Sequence, residues 1–205
     1  VEPVAGEKLI RRPWHVLQSM FESNLATDLR EMVHQRSDLQ EARFADTPLV
    51  AKIGEHPIHL GEGVTLHPFT ALNAIKGPIV IDHRVLINAH TVIYGPCYIG
   101  PDSAVHNRSD VGYSAIGPHC KLGGEVNVCC FQGHANKSHS GYVGHSYVGE
   151  LANLGASTVT SNLKNTYGPV RVQTRPDGPR EETQMQFLGS IIADAQREAT
   201  KADLA

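Results

Sequence analysis

The chain has 205 residues, a net charge of −3, 40% hydrophobic residues and only 6% aromatic ones. That length holds one domain with an attached arm or two small ones, and a net negative chain lacks the basic face that a nucleic-acid partner demands. No apolar run approaches the roughly 18 residues of a membrane span, and the neutral start at Val1 to Gly6 is not the basic opening of a signal peptide. The expected location is therefore cytoplasmic, with no membrane partner. Cys97, Cys120, Cys129 and Cys130 form no CxxC pair and read as small buried groups in a reducing compartment.

In chain order, Pro13 to Gln40 reads as helix. Trp14, Leu17, Met20, Phe21, Leu25 and Leu29 recur mostly at three- and four-residue spacings, and Pro13 suits a first helical position. Arg43 to Glu55 is a transition. A six-residue period then takes over: Leu60, Leu66 and Leu72, then Ile81, Ile87, Ile93, Ile99, Val105 and Val111, then Ile116, Leu122 and Val128, and finally Val143, Val148 and Leu154, with Thr160 in the next place. Neither a helix nor an ordinary strand has this period. It is the mark of a parallel β-helix, in which each unit is one short strand and a turn. Branched residues suit the strands, and Gly and Pro, as in Ile99-Gly100-Pro101, suit the corners.

The spacing between Val128 and Val143 is fifteen where twelve would keep register, which predicts a protruding loop around Gln132 to Ser140. The last stretch starts polar with Pro176, Asp177, Gly178 and Pro179 and ends in an Ala- and charge-rich segment with helical character. The expected division is a helical arm over 1–45, a β-helix over 46–172 and a C-terminal extension over 173–205 that continues the β-helix in truncated form. Because a prism with few aromatics buries apolar area best against another copy, a homotrimer is expected.

The densest polar group lies around the ladder break: Glu125, Asn127, His134, Lys137, His139, Tyr142, Asn153 and Asn162. The run from Asn136 to Asn162, N-K-S-H-S-G-Y-V-G-H-S-Y-V-G-E-L-A-N-L-G-A-S-T-V-T-S-N, resembles the acetyltransferase half of GlmU-type enzymes. Those are bifunctional glucosamine-1-phosphate N-acetyltransferase/N-acetylglucosamine-1-phosphate uridyltransferases. The likeness covers roughly residues 50 to 190 and is strong over about 120 to 165. It implies an all-β fold, a left-handed parallel β-helix of hexapeptide repeats with an N-terminal α-helical arm. The handedness comes from the resemblance, since ordinary parallel crossovers are right-handed. It also implies a trimeric N-acetyltransferase for an amino-sugar phosphate, with acetyl-CoA as co-substrate, in nucleotide-sugar biosynthesis. Mg2+ is implied only where a nucleotidyltransferase domain precedes the arm, and further coils beyond Ser190 are implied to complete the coenzyme A groove.

Residue by residue, the resemblance makes His139 the general base and Glu125 its acidic partner. An attacking amine must shed its proton, and an imidazole accepts one near neutral pH. Tyr142, Asn153 and Asn162 fall at sugar-phosphate and amine contacts, Ala156 where a backbone N–H faces the thioester carbonyl, and Ser190 at an acetyl-CoA contact. Asn127 stands where the family has a phosphate-binding lysine, and Arg108 lies near its phosphate-binding arginine. Lys137 reads as a plain surface charge. Asn153 and Asn162 also suit an asparagine ladder or turns.

Two other readings compete. The β-helix serves only to trimerise or regulate a nucleotidyltransferase, since a solenoid does not demand catalysis. Alternatively, it is a zinc protein like the γ-type carbonic anhydrases, whose zinc is held by three histidines across a subunit interface, using His134 and His139, five residues apart, with His106 a poor third ligand.

Overall fold

The computed structural model describes residues 10–20, 24–42 and 49–198. The helical arm is two helices rather than one, α1 at Pro13–Ser19 and α2 at Leu25–Gln35, and Phe21 falls outside the described residues. From Ile58 onward the chain winds in coils over three sheets of eight, seven and six strands; the first five coils lay one short strand on each sheet and the last two only on the eight- and seven-stranded ones. We call these faces A, C and B, in the order the chain visits them. Coil 1 spans 58–73, coil 2 79–94, coil 3 97–112, coil 4 115–127, coil 5 130–144, coil 6 147–160 and coil 7 191–198. This is the parallel β-helix that the period predicts, preceded by the expected helical arm; it is about six turns long, the seventh coil being partial, and is consistent with a left-handed winding.

Strands of two or three residues cannot stand alone. They persist because each pairs in parallel with its counterpart one coil away while its inward side chain stacks on the corresponding one. Face A is lined inside by Leu60, Ile81, Ile99, Ile116, Phe131, Val148 and Ile192. Face C is lined by Leu66, Ile87, Val105, Leu122, Lys137 and Leu154. Face B is lined by Leu72, Ile93, Val111, Val126 and Val143. Cys97, Cys120 and Cys129 are buried beside these columns, as expected, and burial pushes the Cys97 and Cys129 thiols up to about 12 and Cys120 to about 11.

Two expectations are corrected. No loop protrudes over 132–140: Asn136–Lys137 is a face C strand paired with Lys121–Leu122, and Phe131, Lys137 and Val143 are six apart in perfect register. The fifteen-residue interval is instead a shortened coil. Leu122 and Val126 are four residues apart where the other C-to-B corners take six, so Val126 carries the column and Val128 becomes a left-handed corner residue with φ 56°. The second correction is Lys137, which is 1% exposed and occupies a leucine's place in the ladder.

Past Thr160 the chain leaves the stack, forms a hairpin of Arg171–Gln173 with Arg180–Glu182, and returns as Ile191–Ile192 beside Tyr147–Val148. The C-terminal segment expected to be helical continues the stack to Arg197–Glu198, and 199–205 lies outside the described residues.

The arm runs down the outside of face A. Trp14 and Leu17 pack with Met185, Leu188, Cys130 and Tyr147, and Leu25, Leu29 and Leu39 pack on Val80, Tyr98 and Ala115. Its lower end is pinned by Arg36, which grips the buried Asp82 with both terminal guanidinium nitrogens at 2.7 and 3.1 Å, while the Tyr98 hydroxyl donates to the same carboxylate at 2.8 Å. Burial pushes the Asp82 carboxyl up, but Arg36, the His83 N–H and Tyr98 together bring it below its usual range.

Because Ile99 is fully buried in a column, Ile99→Ala is expected to cost about 2–5 kcal/mol in urea unfolding. Ile99→Asp should abolish the cooperative transition, and a soluble, normally melting aspartate variant would disprove the register. Lys137 gives a pH signature. Burial lowers its amine to about 8, so between pH 8 and the ordinary value near 10.4 the unfolded chain binds the extra proton and stability rises with pH. The buried thiols act in the opposite direction in the alkaline range. The stability difference between wild type and Lys137→Met should therefore shift by about 2–3 kcal/mol in favour of wild type from pH 7 to 10.

Candidate active site on face B and the C-to-B corner

Side chains alternate along a strand, so the residues flanking each inward one point outward. On face B, Glu125 and Asn127 flank Val126, and Tyr142 and Gly144 flank Val143, with Glu125 opposite Tyr142. The Tyr142 ring lies along its strand over Gly144, where a Cβ would sit 1.9 Å from the hydroxyl. That hydroxyl accepts a hydrogen bond from Asn162 Nδ2 at 2.7 Å, and the same amide lies 2.9 Å from Nδ1 of His145. With both amide hydrogens used this way, the imidazole hydrogen is assigned to Nε2. Burial, with the nearby Glu125 charge, pushes the Tyr142 hydroxyl up, and the Asn162 bond acts the other way.

His145 is the member of this cluster that the sequence reading missed. It holds a left-handed corner with φ 51°, and burial pushes its imidazole down to about 4, so it is neutral at neutral pH. Its ring stacks on Phe187 at 5.2 Å, its carbonyl accepts the Gly189 N–H at 2.8 Å, and the Asn162 carbonyl accepts the Leu188 N–H at 2.8 Å. The excursion over 161–190 is thus stitched to the cluster. Two concavities flank it. One, of about 250 Å³, is lined by Tyr94, Asp110, Tyr113, Glu125 and Asn127, and another of about 560 Å³ by Asn162, Lys164, Val170, Arg171 and Leu188. The signal available in the sequence was the second histidine of H-S-G-Y-V-G-H, three residues after Tyr142.

A second group occupies the edge between faces C and B. His139 is exposed there in coil 5. The Ser157 N–H donates to the Ser140 carbonyl at 3.1 Å, so Ala156 stands one coil beyond His139 at the same edge. Arg108, at φ 56°, is exposed on that edge in coil 3, with shortened coil 4 between them. The groups meet at Glu125, the first residue of face B after the edge, whose N–H donates to Gly141 at 3.1 Å. His106, on the same edge, is pushed down by burial and then by the charges of Lys121 and His139.

Asn153 and Ser190 join neither group. Asn153 is on face C, where its Oδ1 accepts Nδ2 of Asn136 at 2.6 Å in an asparagine ladder. Ser190 enters face A, its N–H donating to Ser146 Oγ at 3.0 Å and its carbonyl accepting the Tyr147 N–H at 3.0 Å. His134 stacks on His119 at 4.7 Å at the A-to-C corner, the opposite end of the face C strand from His139. Among the described residues no three His, Cys, Asp or Glu side chains of one chain gather as a metal cage.

Comparison with known proteins agrees with this architecture. No family model matches the chain. It is 32% identical over 151 residues to the bifunctional protein GlmU of Acholeplasma laidlawii, covering 65% of this chain and 32% of that one. It is 32% identical over 123 residues to that of Corynebacterium glutamicum, covering 51% and 25%. The Trichodesmium erythraeum protein is 33% identical over 87 residues, covering 42% and 17%. The chain carries a GlmU-like hexapeptide-repeat β-helix. It spans about a third or less of the length of these curated relatives. No described helix is long and apolar enough to cross a membrane.

In this GlmU-like β-helix the neutral His145 predicts an acid sensitivity. The unfolded imidazole protonates near 6.5 and the folded one near 4, so stability is lost as pH falls from 6.5 toward 4. Discounted for partial exposure, that loss is on the order of 2 kcal/mol. His145→Asn should show a correspondingly smaller loss in urea unfolding between pH 7 and 4.5. An equal loss in both proteins would place the imidazole in contact with water.

Proposed function

We propose that this chain is the acetyltransferase part of a nucleotide-sugar enzyme. It moves an acetyl group from acetyl-CoA to the amine of an amino-sugar phosphate of the glucosamine-1-phosphate type. The observation that carries this reading is the adjacency of the two groups: exposed His139 on one edge, with Glu125 and Tyr142 opposite each other on the face that begins there. The amine lone pair attacks the thioester carbon, His139 takes the departing amine proton, and collapse of the tetrahedral intermediate expels the coenzyme A thiolate. The Ala156 N–H is the donor assigned to the developing oxyanion. Tyr142, its hydroxyl aimed by Asn162, donates to the sugar, with Asn127 and Arg108 as further sugar-phosphate contacts, while Asn153 and Ser190, which join neither group, take no part in this subunit's site. The helical arm covers face A, which leaves faces B and C for packing in a cytoplasmic homotrimer. Mg2+ enters only with a nucleotidyltransferase domain.

A second reading, a non-catalytic trimerising or regulatory β-helix, is favoured by one observation. The groove beside Asn127 is lined by Asp110 and Glu125 where a phosphate site wants a cation.

Thiol release from acetyl-CoA, with and without glucosamine 1-phosphate, separates the two. His139→Ala is expected to lower kcat roughly 10²–10⁴-fold, Glu125→Gln less, and Tyr142→Phe mainly to raise KM. Amine-dependent release that survives His139→Ala removes His139 as base. No release by the wild-type protein hands the case to the scaffold reading.

A further inference from the structure

Inside the edge between faces C and B, a hydroxyl recurs two residues before the inward residue of face B: Thr70, Thr91, Ser109 and Thr158. Thr70 donates to the His67 carbonyl at 2.7 Å, Thr91 to the His106 carbonyl at 3.0 Å and Thr158 to the Gly155 carbonyl at 2.8 Å. His67, His106 and Gly155 all directly follow the inward residue of face C; Thr70 and Thr158 cap that carbonyl in their own coil, and Thr91 caps it in the next. Coils 4 and 5 break the pattern, with Gly124 and Gly141 in the hydroxyl's place. Glycine is required at Gly141, which has φ 123° and where a Cβ would lie 2.2 Å from the Thr158 carbonyl.

In coil 4 the carbonyl at this place is that of Gly123, and an amine rather than a hydroxyl caps it. That carbonyl accepts Nζ of Lys137 at 2.7 Å, and the same ammonium donates to the carbonyl of His139 at 2.7 Å. Ser109, the last hydroxyl before the break, is buried without a partner: the carbonyl that Thr91 finds in the next coil is, for Ser109, the one Lys137 occupies. An aliphatic residue would fill this ladder place without burying a charge. What only the amine supplies is the pair of bonds, one to the coil that carries Glu125 and one to His139 itself.

We infer that Lys137 is a positioning residue, whose side chain clamps the main chain of the shortened edge and so sets where His139 stands relative to Glu125. The inference rests on His139 acting as the base. Its test does not. Lys137→Met and Lys137→Gln are compared with wild type in the whole 205-residue chain by amide hydrogen exchange and by acetyl-transfer kinetics. In Lys137→Met, exchange over 123–125 and 138–141 should rise roughly tenfold or more, with the rest of the stack unchanged. In the same variant kcat should fall about tenfold or more, with KM within about twofold, because misplacing a catalytic group costs rate rather than binding. Lys137→Gln keeps two N–H donors without the charge and should recover part of both losses. Unchanged exchange at the edge in Lys137→Met, or a glutamine variant no better than the methionine one, overturns the inference. If the methionine variant does not fold, Lys137→Gln decides alone: edge exchange within about tenfold of wild type upholds the clamp, and faster exchange overturns it. A wild-type protein that transfers no acetyl group ends the acetyltransferase reading, while the exchange comparison still decides the role of Lys137.

Discussion

Coil-on-coil register is the constraint from which the rest of this molecule follows. Among the described residues no strand exceeds three residues, so no strand has a stability of its own, and each exists because its neighbours in the sheet hold it. The inward columns enforce that register physically. A slip of one residue would turn Ile81, Ile99 or Val111 out of its column and bring an outward residue in. With the columns locked, the outward positions are locked as well. That is how Glu125 and Tyr142, far apart along the chain, come to face one another without any direct bond between them.

The same logic explains the arm. Face A turns Val80, Tyr98, Cys130 and Tyr147 outward, an apolar row that a solenoid cannot hide by itself. Two amphipathic helices cover it, and one buried carboxylate sets their position. Asp82 is tolerable in that place only because Arg36, Tyr98 and a backbone N–H all converge on it. The arm is thus part of the packed structure and not a tether lying beside it.

The period of six was plain in the sequence because aliphatic side chains at the ladder places have no substitute over most of the stack. The period is obscured where that condition lapses. Coil 4 dropped two residues, so Val128 fell on the expected beat while the true column ran through Val126 and Phe131. Coil 5 then placed a lysine where an aliphatic residue belongs, and Lys137 passed for a surface charge, hiding the beat that would have corrected the error. A shortened coil and an inserted loop leave the same arithmetic when the next marker is a polar residue. In the candidate site, Tyr142 and Asn162 were legible through motif likeness. Their partnership with His145 was not, because it depends on a thirty-residue excursion folding back from 161–190, and nothing local in the sequence specifies where such a segment returns.

The contacts between Arg12 and Glu181, and between Trp14 and Met185, join parts of the chain some 170 residues apart. Stacked repeats usually behave as a one-dimensional array, able to fray from either end a unit at a time. Here the first helix is fastened to the last excursion, and the second to coils 2 to 4, so a strap runs along the whole array and belongs to both ends. Loss of the terminal coil exposes the seat of the first helix, and release of that helix uncovers the coils beneath it. An object built of nearest-neighbour units thereby acquires the all-or-none character of a globular domain.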